Sequence, residues 1–587
     1  MFGLPELDNM ICRELSQHDL AQCVRVNRKW HMAVIPYLWR DIRCGEQLKR
    51  REALRRMVLE DYLYEQQHQQ TMEEKDESSV EEHTQTPLSS LSPLARKYGP
   101  CIRMLPGPIE LLGYFHSPRG PTGIQQSSTQ RDKESAQLLH HLYKHSPAIQ
   151  VPHLYLNRLE SLPHNVVRTI AEFVIFRVHF LTLGGVLHNW KSKFLLDRCS
   201  NALEELTLRD RIASDEDNNG QEEQQQQCKT WESLEELTLE WCRDNSVSKS
   251  FWSWLCRRCC HVKRLKASKL QGIAQSLANG MLTYMPNLSE ITLGSGVSGI
   301  LDLTDDDVAA LLSGSRNGWK VVKVEYSAEF GDASGKALKK HSPTLEELVV
   351  YGCNGVTDSD LVQVLSISPN LHTLISIEDA YYERGNYPCF QVERFIDRYP
   401  FAGSLRTWAC ESSLTVLKVK LTDIPGRDRY GCVPETYPGQ GREIQNQVYD
   451  RLARLINLKS LWLGHRPLIS YGGRMCEERE YQLNCLEMSL ESGLHKLAGL
   501  KSLEELNVWG MDTKIGLKEV QWMTGHWPRL HAIFGLDDRC NKESGIVCGH
   551  EDGDCYDEID DKEAVEWLWK HYPEIELTSS WFYYYSG

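Results

Sequence analysis

The sequence predicts an α/β chain in which a small helical head precedes a long array of stacked strand–helix repeats. Three observations lead there. Apolar residues fall at helical spacing through the first 44 residues. A Leu-x-x-Leu-x-Leu pattern then returns along the body of the chain. Amphipathic stretches opened by Thr or Asp lie between its copies, as a capped helix requires. At 587 residues the chain exceeds what one core usually organises, and a hydrophobic fraction of 41% supplies enough material to bury across several units.

In the head, Leu7, Met10, Ile11 and Leu15 share one helical face, and Asp19 is placed to cap a second helix carrying Leu20, Val24 and Val26. Arg28 to Leu38 form a third, with Trp30, Ala33, Val34 and Leu38 on a stripe that Trp39 closes. The runs Leu4-Pro5-Glu6-Leu7, Val24-Arg25-Val26-Asn27-Arg28-Lys29-Trp30 and Tyr37-Leu38-Trp39-Arg40 resemble the three-helix F-box of fungal-type F-box proteins. The resemblance implies docking onto the Skp-family adaptor of a cullin-RING ubiquitin ligase. It assigns Leu4, Pro5, Leu7, Ile11, Leu15, Leu20 and Val24 to the adaptor-binding surface, with Trp30 and Trp39 supporting the helices behind it. The stretch from Leu4-Pro5 to Ile11 is one residue shorter than usual and Asp8 stands where an apolar residue is common, which implies weaker docking. The same periodicity also suits a helix pair that merely caps the array.

Residues 45–94 read as a linker, partly disordered over 65–90, where seven acidic residues face Lys75 alone among Gln, Ser and Thr. Residues 211–230 repeat that composition between two apolar segments and read as a disordered insertion, which costs little because loop-closure entropy grows slowly with length. Lys49-Arg50-Arg51 with Arg55-Arg56 suit either a nuclear-import signal or a solvated helix face.

The repeat array spans 95–587, with a C-terminal cap over about 545–587. Its pattern starts at Leu203, Leu234, Val262, Leu288, Val321, Leu345, Leu371, Leu414, Leu458, Leu503 and Leu530, at intervals of 24 to 33 residues, or 43 to 45 where insertions lengthen a unit. Ser342-Pro343-Thr344-Leu345 and Ser368-Pro369-Asn370-Leu371 lie 26 residues apart in one frame. Thr304-Asp305-Asp306-Asp307 and Thr357-Asp358-Ser359-Asp360 open helices between strands. Weaker traces occur at Ile102 to Leu105, Val151 to Leu154 and Val178 to Leu181, and Pro573-Glu574-Ile575 looks like a last unit.

This pattern resembles the leucine-rich repeats, in particular their cysteine-containing subtype. Cys242 and Cys353 fall at the same offset after Leu234 and Leu345, where the family buries a cysteine under the turn. The resemblance implies a solenoid, a horseshoe whose concave face is a parallel sheet. Strand positions between the leucines point onto that face. They nominate Lys266, Tyr326, Tyr351, Lys418, Lys420, Trp462 and Trp509 as target-binding residues. Long loops at 381–390, 426–441 and 470–480 are expected at one rim.

Other classes are disfavoured. A formal charge of -15, from 66 basic and 81 acidic residues, opposes binding to nucleic-acid phosphates. The start lacks a basic n-region, and the most apolar stretch, near Phe173 to Leu187, is short and carries Arg177 and His179, so neither secretion nor membrane insertion is expected. Nineteen scattered cysteines then read as reduced thiols of a cytoplasmic or nuclear protein. Cys256-x-x-Cys259-Cys260 has zinc-like spacing without a second pair, and Asp552 to Glu563 imitates a calcium loop with Asp557 in place of the required glycine. Neither is expected to hold a metal. No phosphate loop, serine elbow or zincin motif occurs, so no catalytic residue or cofactor is assigned. What remains is a substrate receptor of a ubiquitin ligase or a repeat scaffold without ligase assembly.

Overall fold

The structure is a computed structural model that describes the segments 153–185, 190–210, 230–242, 249–294, 303–325, 329–377, 389–396, 407–424, 440–464, 486–536 and 561–577, apart from a few positions within them. The first 44 residues, expected to be a helical head and to include seven adaptor-binding positions, lie outside the described residues, as do the expected linker, nearly all of the 211–230 insertion, Tyr326, Trp509, most of the three long loops and most of the acidic stretch from Asp552. The described chain falls into two units, divided between Val262 and Lys263.

In the first unit, β1 (His153–Leu156), α1 (His164–Phe173), β2 (Phe180–Gly185), α2 (Trp190–Arg198), β3 (Glu205–Asp210), β4 (Glu236–Glu240) and α3 (Lys249–Arg258) follow in order. The strands pair in parallel, each with the next. In-register alternation sends Leu154, Leu181, Leu206 and Leu237 into one buried row and Leu156, Leu183, Leu208 and Leu239 into a second. Each fully buried leucine contributes roughly 1.5–3 kcal/mol. Strand β1 and strand β2 occupy the weak traces read at Val151 to Leu154 and Val178 to Leu181.

The second unit opens with β5 (Arg264–Ser268), α4 (Ala274–Tyr284), β6 (Glu290–Leu293), α5 (Asp305–Leu312), β7 (Val321–Glu325), α6 (Asp332–Lys339), β8 (Glu347–Tyr351), α7 (Asp358–Ile367) and β9 (Thr373–Ile375). After them come β10 (Cys389–Gln391), α8 (Val392–Phe395), β11 (Val416–Lys418), β12 (Lys420–Thr422), α9 (Gln440–Ala453), β13 (Ser460–Trp462), β14 (Glu505–Asn507), α10 (Leu517–His526), β15 (Ala532–Phe534) and α11 (Asp561–His571). Within this unit β5 to β9, β11, β13, β14 and β15 form one long parallel ladder, while β10 and β12 pair in a small sheet of their own. One buried row crosses the ladder from Leu265 through Ile291, Val322, Leu348, Leu374, Leu417, Leu461 and Leu506 to Ile533.

Bonds between successive repeats hold this stack. Asn317, Asn370 and Asn457 each send an amide to a carbonyl one repeat back, on Pro286, Pro343 and Ser412, at 2.7–2.8 Å. Asn370 belongs to the recurring Pro-Asn-Leu turn. Thr304 and Thr357 cap α5 and α7 as expected, accepting from the amides of Asp307 and Asp360. Cys353 is buried and its thiol meets the carbonyl of Val324 at 3.0 Å. Burial pushes that thiol well above the ordinary cysteine range, so it stays protonated. Ile533 donates its amide to the Glu576 carbonyl, and Glu576 forms a parallel bridge with Ala532, so the chain just after Pro573-Glu574-Ile575 is the last described addition to the ladder.

The first apolar slot of the repeat before Leu345 belongs to Trp319, not to Val321. Val321 pairs with Glu290 and Glu347 in an outward row, whereas Trp319 is fully buried and donates from Nε1 to the Leu312 carbonyl at 2.6 Å. An aromatic residue fills the position where an aliphatic one was sought, and Val321 imitated the pattern two residues later.

Candidate protein-binding face

Strand alternation gives each ladder a second face, opposite the buried leucines. In the second unit one outward row runs Lys266, Thr292, Lys323, Val349, Ile375, Lys418, Trp462, Asn507, Phe534. A parallel row two residues earlier carries Arg264, Glu290, Glu347 and Glu505. Charges of both signs therefore stand side by side, as in the 2.8 Å pair of Lys323 with Glu347.

Four of the seven predicted target-binding residues belong to this ladder. Lys266 is exposed on β5. Tyr351 ends β8. Lys418 and Trp462 are register partners, and the Lys418 ammonium lies 3.2 Å from the centroid of the Trp462 ring. Trp462 is only 8% exposed and meets Phe534 edge-on at 6.0 Å, so its ring is mostly internal to the face. Lys420 is a departure: it sits on β12, in the small sheet with Cys389, and not on the main ladder. Val419 turns its amide to the Trp462 carbonyl, and the strand then leaves the ladder.

In the first unit the outward rows are His153, Phe180, Glu205, Glu236 and Tyr155, Thr182, Thr207, Thr238. His153 stacks on Phe180 with ring centroids 4.4 Å apart, and Tyr155 is 59% exposed. These side chains, with Thr182, Glu205 and Thr207, line a recess of about 200 Å³. The sequence reading missed it. The alternation His153-x-Tyr155 beside Phe180-x-Thr182 is the signal in the sequence, weak because these strands lack a full Leu-x-x-Leu-x-Leu pattern.

Cys256 and Cys259 are buried, and burial raises both thiols, that of Cys256 to about 12. Among the described residues no group of three or more His, Cys, Asp or Glu is placed to hold a metal ion. Nor is any helix there long and apolar enough to cross a membrane.

Residues 5–45 match the family described as F-box-like. The match is confined to that N-terminal segment. No curated protein matches the chain. Among solved structures, an internalin from Listeria monocytogenes str. 4b F2365 matches at 13% identity and a TM-score of 0.28, covering 67% of this chain and 75% of its own. The complex of Rad7 and Elc1 in yeast matches at 15% identity and 0.24, covering 51% and 76%. The assignment of stacked leucine-rich-type repeats rests on the parallel ladder itself.

Proposed function

We propose that this protein is the substrate-recognition subunit of a cullin-RING ubiquitin ligase of the SCF type. The F-box-like match at residues 5–45 carries the reading. Leu4, Pro5, Leu7, Ile11, Leu15, Leu20 and Val24 hold a Skp-family adaptor and through it the cullin, while the outward sheet face receives a target protein. The chain does no chemistry of its own. It holds the target near a separate ubiquitin-conjugating enzyme, and that proximity is its contribution. The cytoplasm or nucleus, where cullin ligases work, is its expected place.

The test is capture of the full-length chain on an immobilised Skp-family adaptor. Binding is expected, with a loss of about tenfold or more in the double variant Leu7→Ala and Ile11→Ala. The shortened start with Asp8 favours a second reading, a repeat scaffold that assembles no ligase. Failure of the intact chain to capture adaptor would select that reading.

A further inference from the structure

The recess on the first unit's sheet face has the chemistry of a cation site. Glu205, half-exposed on β3, has a carboxylate that meets no hydrogen-bond or ion-pair partner among the described residues. By contrast, Glu240 on the next strand is engaged by Arg209 at 2.7 Å, and Glu204 by His179 at 2.9 Å. Phe180 is the register partner of Glu205 on the adjacent strand and stacks on His153 beyond it, while the exposed Tyr155 lines the recess from the neighbouring row. An unpaired carboxylate beside aromatic faces attracts a cation both by charge and through the ring quadrupole.

Size and shape narrow the class. About 200 Å³ is below the roughly 300–1,000 Å³ of most small-molecule sites, and suits one long side chain. A guanidinium is flat, is weakly hydrated, stacks on aromatic rings and can bond a carboxylate through two N–H groups, whereas an ammonium is a strongly hydrated point charge. The hydroxyls of Thr182 and Thr207, also lining the recess, can accept the remaining N–H groups. The geometry points to an arginine side chain, presented by a partner protein, seated between Tyr155 and Phe180 with its guanidinium on Glu205. This deepens the receptor reading, on which it rests only in taking that partner to be a ligase target.

The experiment titrates the full-length chain into the peptide acetyl-Gly-Gly-Arg-Gly-Gly-amide, followed by saturation-transfer NMR, with lysine and citrulline peptides as comparators. Saturation is expected at the arginine side-chain methylenes, with binding about tenfold tighter than that of the uncharged citrulline peptide. Glu205→Gln should bring the arginine peptide down to the citrulline level, and Tyr155→Ala should weaken it by about threefold or more. Glu240→Gln, which alters a carboxylate outside the recess, should change nothing. Thermal melting of each variant verifies that it is folded, and Tyr155→Ala serves should Glu205→Gln unfold. Equal binding of the citrulline peptide, or an unaffected Glu205→Gln variant, would overturn the site; equal binding of the lysine peptide would overturn its preference for guanidinium. Adaptor capture is measured apart from this, so its failure with peptide binding intact removes the receptor reading and leaves the recess.

Discussion

Lys418 and Trp462, one opposite the other on β11 and β13, form a cation–π contact with the ammonium 3.2 Å from the ring centroid. Trp462 is nearly buried, which excludes water from one side of the cation and strengthens the attraction. A double-mutant cycle with Lys418→Met and Trp462→Leu should therefore return a coupling of about 0.5–1 kcal/mol. Urea denaturation of the four proteins measures it. Strict additivity would show that the contact contributes nothing.

Asp305 links two successive repeats of the second unit. It opens α5, yet its carboxylate accepts from the backbone amides of Gly331, Ala333 and Ser334 at 2.7–3.0 Å, where α6 begins. A Cβ at Gly331 would meet the carboxylate at 2.7 Å and push it from these amides. Burial by itself would raise the Asp305 pKa, but hydrogen bonds from Ser334, Ala333 and Gly331 outweigh it and hold the group below the usual carboxylate range. Asp305→Ala should cost about 2 kcal/mol, as loss of a helix cap does, and Asp305→Asn less. A depressed folded pKa means that the stabilisation is complete above the unfolded value of about 3.9 and disappears as pH falls through the folded one. Wild type and Asp305→Ala should then converge in stability only below about pH 4; convergence at higher pH would contradict the assignment.

The repeat frame was legible because its apolar positions are obligatory. The row from Leu265 to Ile533 must be hydrophobic to be buried, and period and turn chemistry together exposed nearly every strand. Trp319 escaped because burial constrains volume and polarity and does not constrain residue type, so an indole with a bonded Nε1 serves as well as a leucine. Capping threonines were legible because the bond they make is local. The outward face was not, since solvated positions tolerate most residue types. Nothing in the spacing of Lys418 and Lys420 shows that only the first stays on the main ladder, because the departure depends on how Val419 bonds across to β13.

Gly318 makes the turn into that same repeat with φ of +86°, and a Cβ there would come within 2.3 Å of the Thr344 hydroxyl. That hydroxyl already bonds the carbonyls of Trp319 and His341 and cannot withdraw freely. Gly318→Ala combines left-handed strain with a clash, and should destabilise the protein by about 1–3 kcal/mol. A melting midpoint equal to that of wild type would rule out the strained turn.

His341 supplies a pH dependence of a different range. Its Nε2 lies 2.8 Å from the Leu312 carbonyl, the acceptor that Trp319 also uses, so Nε2 carries a proton and the neutral ring satisfies the contact. Burial lowers the pKa of this imidazole, Lys340 lowers it further, and the bond to Leu312 offsets them only in part. With the folded value below the unfolded value of about 6.5, the unfolded chain takes up the proton first as pH falls. Stability from this group is thus complete above about pH 6.5 and declines below it. His341→Gln retains a donor near Leu312 but cannot titrate. Its denaturation midpoint should fall less than that of wild type between pH 7 and pH 5, and the gap between the two should close progressively across that interval. Parallel declines would mean that His341 titrates alike in the folded and unfolded chain, and would remove it as the source.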